Sequence, residues 1–127
     1  MTDIANDWKP FCDKWLGSWT GNRPAQLMAF YTDDAFYSDP AYPAGIRGRE
    51  LMVPYFEKLL SRNPDWKWEA VEIFNTAGGF TLKWKATIPV RDKELIILGL
   101  DIVEMKGELI SRNEVYFDRV KWLKLME

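Results

Sequence analysis

The chain has no histidine, one cysteine, no excess of positive charge and no long apolar run. Each shortage removes a class of mechanism. Without histidine there is no imidazole base, no Ser-His-Asp or Cys-His nucleophile and almost no route to a zinc or haem site, so neither a metal nor a cofactor is expected. Any chemistry would fall to carboxylates, tyrosine, lysine or arginine. Cys12 cannot pair within the chain and sits among apolar residues at helical spacing, which marks a small core residue and points to a reducing, cytoplasmic home. A net charge of −2, from 17 basic and 19 acidic residues, supplies no field for phosphate backbones, so nucleic acid is not an expected partner. The longest apolar run, 95–100, is broken by Gly99 and is far too short to cross a membrane. The opening MTDIANDW has no basic segment leading into an apolar stretch, so no signal peptide is expected.

What the chain has in quantity is aromatic surface: seven Trp, seven Phe and five Tyr in 127 residues. That length suits one domain, residues 1–127, able to bury roughly two thirds of its unfolded surface without disulfides.

Along 4–19, the residues Ile4, Trp8, Phe11, Cys12, Trp15, Leu16 and Trp19 recur at three and four, the pattern of a helix with one wide buried stripe. Pro10 either starts that helix or bends it. Asn22 is a candidate cap for a short second helix carrying Leu27, Met28, Phe30 and Tyr31. Residues 35–39 alternate like a short strand stopped by Pro40, which puts Tyr37 and Asp39 on one face. The stretch PAYPAGIRG has loop chemistry. Leu51, Met52, Tyr55, Phe56, Leu59 and Leu60 mark a third helix, closed by Asn63-Pro64, with Pro54 delaying or bending its start. From residue 66 the period changes to two, predicting strands at 66–74, 80–90, 95–105 and 109–117 joined by tight turns. The reading is α+β: three N-terminal helices with one embedded strand, then a four-strand antiparallel meander. The tail 120–126, with Trp122, Leu123 and Leu125, covers a pocket mouth or joins a contact between copies; the sequence leaves both open.

The strand at 95–105 is apolar on both faces. Ile96, Leu98, Leu100 and Ile102 form one face, where Lys83 and Lys85 of the preceding strand lead one to expect polarity. An apolar outer face calls for a partner sheet, most simply in a homodimer. The other face points toward the helices and places Asp101 among Gly99, Val103 and Met105. A buried carboxyl there would have a raised pKa and could donate a hydrogen bond; the alternative is an Asp held by backbone or paired with Arg112 across the hairpin.

The element order, with YTDDAFYSDPAYPAGIRG, GLDIVEM and LISRNEVYFD, resembles the NTF2-like superfamily and within it the ketosteroid-isomerase and SnoaL-like branch. The resemblance implies a cone-shaped (cystatin-like) fold: helices packed on a strongly curved antiparallel sheet that encloses a pocket for a small hydrophobic molecule, with dimers formed through the outer sheet face. It implies Asp39, before Pro in the DDA-x-x-x-DP run, as a general base, and Asp101 as half of an oxyanion hole. The other half would be a tyrosine on the first helix, where this chain has Trp15; Tyr37 or Tyr55 could replace it.

Phe56 and Trp84 are expected with Trp15 on the pocket wall, and the alignment implied by the family puts Arg112, Glu114 and Tyr116 on the pocket side. The residue pattern alone allows the reverse, with Asn113, Val115 and Phe117 inward. The activity implied is isomerase or cyclase chemistry on a small carbonyl compound by carboxylate-mediated proton abstraction. A hydrolase built from Asp39, Arg112 and Asp101 is a further possibility. A non-catalytic module that holds a ligand or a protein partner is the alternative.

Overall fold

The computed structural model describes residues 7–126. Helix α1 spans Lys9–Gly17 and buries Cys12, Trp15 and Leu16, the i, i+3, i+4 stripe of the sequence. Pro10 lies in its first turn, where a missing N–H costs nothing, so the proline starts the helix and does not bend it. Ile4 lies outside the described residues. Helix α2, Pro24–Met28, follows Arg23 as its cap. Asn22 is not the cap: it takes a left-handed turn conformation, φ 53°, which asparagine tolerates.

Strand β1 is Tyr31–Asp39, longer than the 35–39 expected, and Tyr31 opens it instead of closing a helix. PAYPAGIRG is mostly strand as well: β2, Tyr42–Arg47, pairs antiparallel with β1. Its loop composition is explained by Gly45 at φ 80°, a conformation few side-chain-bearing residues accept. Helix α3, Arg49–Arg62, begins upstream of Pro54, so the proline sits inside the helix and does not delay its start. Strands β3 (Lys67–Asn75), β4 (Gly79–Val90), β5 (Lys93–Lys106) and β6 (Leu109–Tyr116) form the expected meander, and a short helix α4, Val120–Leu125, ends the described chain.

All six strands form one sheet in the order β2-β1-β6-β5-β4-β3. The fold is α+β as read, with one correction: β1 joins β6 in parallel, so the sheet is mixed. Helices and the inner sheet face share a single buried cluster that includes Trp15, Phe56, Phe80, Leu82 and Trp84. On the opposite face Ile96, Leu98 and Leu100 are 52%, 56% and 43% exposed, an apolar row on the outside of β5.

One irregularity decides what β6 shows to the core. Met105 pairs with Ile110 but Glu104 pairs with Arg112, which leaves Ser111 as an extra residue. Such a bulge reverses the alternation beyond it. Ile110 points inward before the bulge, and Asn113 and Val115 do so after it.

Candidate functional site

Asp101 is carried inward by β5, and its carboxylate is gripped from the two neighbouring strands. Trp84 of β4 donates its indole N–H to Oδ1 at 2.7 Å, and Asn113 of β6 donates its amide to Oδ2 at 3.1 Å. The Trp84 ring can lie along the sheet because its cross-strand partner is Gly99; a Cβ at Gly99 would overlap Cζ2 and Cη2 of that ring. Burial raises the Asp101 pKa from 3.8 to about 7, against the opposing effect of its two hydrogen-bond donors. The network runs on into the core: Tyr31 donates to Asn113 Oδ1 at 2.8 Å and accepts from the Trp15 indole at 3.3 Å.

Asp39 ends β1 and is used differently. Its Oδ1 accepts the backbone N–H groups of Ala41 and Tyr42, each at 2.9 Å, which fixes the turn into β2. Its Oδ2 accepts the hydroxyls of Tyr37 at 2.8 Å and Tyr55 at 2.7 Å. Four donors match the roughly four acceptor positions of a carboxylate, so the group is saturated where it stands. Burial, and then the neighbouring Asp39 charge, push the Tyr37 hydroxyl well above its ordinary pKa; burial and the Asp39 hydrogen bond do the same for Tyr55. Both phenols therefore keep their protons at neutral pH.

Asp39 and Asp101 border the same cavity, of about 140 Å³. Trp66, Trp68, Trp84, Phe117 and Trp122 line it too. Their rings touch in a closed circuit with centroids 4.8–6.1 Å apart, four of the five contacts steeply inclined, edge to face. Edge-to-face contact is the favoured arrangement of aromatic pairs. Helix α4 contributes Trp122 and Leu123, and Met126 follows, so the tail covers the pocket. Arg119, the residue before α4, also lines the cavity, and its charge draws the Tyr55 pKa back down.

Among the residues expected in the site, Asp39, Asp101, Tyr37 and Trp84 are brought together. Tyr55 reaches the site only through its hydroxyl on Asp39. Trp15 and Phe56 are fully buried and do not line the pocket; Phe56 meets Trp19 and Tyr37 edge to face and Tyr31 at a tilt. Trp15 thus supports Tyr31 and does not stand in for a ligand-binding tyrosine. Tyr37 donates its hydrogen bond to Asp39, not to a shared hole with Asp101.

Arg112, Glu114 and Tyr116 are the clear correction. The Ser111 bulge turns them to the outer face, where Arg112 pairs with Glu104 at 2.9 Å and with Glu114, and Tyr116 donates to Glu114 at 2.6 Å. Those bonds hold Glu114 below the usual carboxylate range and Arg112 above its own. Arg112 does not pair with Asp101, and no Asp39–Arg112–Asp101 cluster forms. Sequence alone assigns no place in the site to Trp66, Trp68 or Arg119; it offers Trp122 only as one of two options for the tail, and Asn113 and Phe117 only in the alternative reading of β6, which the structure bears out. The aromatic surplus of 66–68 and 117–122 was the available signal, but alternation alone does not say which face of a sheet is hollow.

A family model described as a SnoaL-like domain matches residues 13–113. No curated protein matches the chain by sequence. Among solved structures, a hypothetical protein with a ketosteroid isomerase-like fold from Catenulispora acidiphila, in complex with trimethylamine, superposes with TM-score 0.73 at 18% identity over 84% of each chain. A SnoaL-like protein of unknown function from Burkholderia thailandensis gives TM-score 0.73 at 18% identity, covering 91% of this chain and 99% of its own. TerC, co-crystallised with polyporic acid, gives 0.75 at 10% identity, with 91% and 94% covered. At these identities the likeness establishes a shared NTF2-like fold.

Proposed function

The chain belongs to the SnoaL-like domain family, and from that premise we propose that its cavity binds a small hydrophobic carbonyl compound and that Asp101 moves a proton on the carbon next to the carbonyl. The observation that carries this reading is the position of Asp101: an enclosed carboxyl with a pKa of about 7 on the wall of an aromatic cavity. A proton-transfer group works best when its pKa lies near the working pH. Trp84 and Asn113 fix the carboxylate without filling all its acceptor positions. The ionised form would take the proton as the C–H electrons shift to the carbonyl oxygen, and the neutral form would return it to the same carbon or, where a double bond is conjugated with the enolate, to the far end of that double bond. That cycle is isomerase-type and consumes nothing. Small molecules bound by structural relatives, trimethylamine in one and polyporic acid in another, support a ligand-holding cone.

Asp39 takes a different part from the one implied by resemblance. Its four donors leave no acceptor position turned to the cavity, so it anchors Tyr37, Tyr55 and the β1–β2 turn. Deuterium uptake from solvent into small ketones tests both assignments. Asp101→Asn is expected to lose about a hundredfold or more of the exchange rate, and Asp39→Asn, where folded, less than tenfold. If no ketone exchanges faster with the wild type than with Asp101→Asn, catalysis by Asp101 is wrong. A small molecule retained in native mass spectrometry would then favour a non-catalytic binding module.

The exposed row Ile96, Leu98 and Leu100 supports a further part of the reading, a homodimer built through the outer face of the sheet.

A further inference from the structure

Two polar groups on residues that line the cavity are unaccounted for. The indole N–H groups of Trp66 and Trp68 are shielded from water and have no hydrogen-bond partner among the described residues. A buried donor left unpaired is costly, and native proteins keep few of them. Here two lie on adjoining tryptophans whose rings meet edge to face, 5.4 Å apart, and both residues line the same cavity as Asp101. The other buried indoles with polar neighbours are satisfied: Trp84 by Asp101 and Trp15 by Tyr31. Asp39, on the same cavity, already holds four donors, and Asp101 takes its hydrogen bonds from Trp84 and Asn113, not from this pair. Two donors beside the cavity are therefore unused, and a ligand that reaches them as a neighbouring ring shifts must bring an acceptor.

We propose that the N–H groups of Trp66 and Trp68 receive an oxygen of the ligand, which makes that ligand a small, flat, apolar molecule bearing a carbonyl or carboxylate oxygen. The proposal rests on reading this cavity as the ligand site, but not on catalysis there. The size fits: the cavity measures about 140 Å³, and one of about 150 Å³ accommodates a benzene ring. Neighbouring rings meet the two indoles edge to face, Trp122 at Trp66 and Trp84 at Trp68. Trp122 is the ring best able to yield, since α4 buries none of its residues. Arg119 at the same cavity offers a charge to a carboxylate but is not needed for a neutral carbonyl. If proton transfer does occur, the same two donors would hold the oxygen on which negative charge develops.

The test uses full-length protein with ¹⁵N-labelled tryptophan and four probes: acetophenone, benzoate, ethylbenzene and tetramethylammonium. Trp66→Phe and Trp68→Phe assign the two indole signals. The expected result is that acetophenone or benzoate moves both signals downfield in the wild type. Ethylbenzene, of similar shape without the oxygen, should bind roughly fivefold weaker or worse for each hydrogen bond lost and leave the signals unmoved. Either phenylalanine variant that folds should narrow that preference. Benzoate binding tighter than acetophenone, with the difference lost in Arg119→Gln, identifies a carboxylate; the reverse order identifies a neutral carbonyl.

Ethylbenzene binding as tightly as acetophenone would overturn the donor role while leaving the cavity as a ligand site. Preferential binding of tetramethylammonium, held by ring faces through cation–π attraction, would overturn it in favour of a cation. Binding by none of the four removes the cavity reading and the proposal together. Binding with the expected shifts but without ketone exchange would sustain the proposal and sink only the catalytic reading.

Discussion

Trp84 lies across Gly99 on the neighbouring strand and by doing so brings its indole N–H to 2.7 Å from Asp101, two residues further along. A glycine here is a spatial requirement: any Cβ would overlap the ring and stand 2.8 Å from the carbonyl oxygen of Tyr116. Gly99→Ala is therefore expected to expel the ring, cost about 1–3 kcal/mol as overpacking does, and remove one of the bonds that favour ionised Asp101. Chemical denaturation gives the first number, and a Trp84 indole signal that stays in place would refute the mechanism.

Asp101 also sets a pH dependence. In the unfolded chain its carboxyl ionises near 3.8, whereas in the folded protein it holds its proton up to about pH 7. Between those values the folded state binds more protons, so this group's contribution to stability falls as pH rises through the window and is level outside it. Asp101→Asn removes the contribution. Relative to wild type, the variant should gain stability between pH 4 and pH 8, by at most roughly 4 kcal/mol. A stability difference that stays flat across that range in urea titrations would show that the carboxyl is not protonated at neutral pH.

Adjacent residues on β6 should respond very differently. Asn113→Ala leaves both the Tyr31 hydroxyl and the Asp101 carboxylate short of a buried partner and should cost roughly 2–4 kcal/mol. Arg112→Ala removes a solvent-facing cluster and should cost under about 1 kcal/mol. Equal losses in thermal or chemical unfolding would mean that the inward and outward faces have been assigned the wrong way round.

The apolar row on β5 predicts a pair of chains in solution. Wild-type protein at micromolar concentration should have twice the mass of the chain, and Leu98→Lys should have the mass of one. A single-chain mass for the wild type would remove the proposed dimer.

Much of this architecture was legible from residue spacing. The change of period near residue 66 located the meander, and the two apolar faces of 95–105 correctly sent Asp101 inward and Ile96, Leu98 and Leu100 outward. Strand β2 was not legible, because Pro43 and Gly45 read as loop residues and only pairing with β1 makes them a strand. Nor was the parallel contact of β1 with β6, which joins segments far apart in the chain.

The site divides in the same way. Sequence by itself determined the chemical repertoire: with no histidine, any proton chemistry fell to carboxylates, tyrosine, lysine or arginine, and Asp39, Asp101 and Tyr37 do border one cavity. Tertiary structure decided what each could do. One extra residue, Ser111, reversed the faces of β6, sending Arg112 and Glu114 to the outer face and Asn113 to Asp101. Packing closed four donors around Asp39 and left the indole N–H groups of Trp66 and Trp68 without an acceptor among the described residues. Spacing along a strand fixes which residues alternate, but bulge position, cross-strand partners and the saturation of a carboxylate depend on segments brought together only when the chain folds.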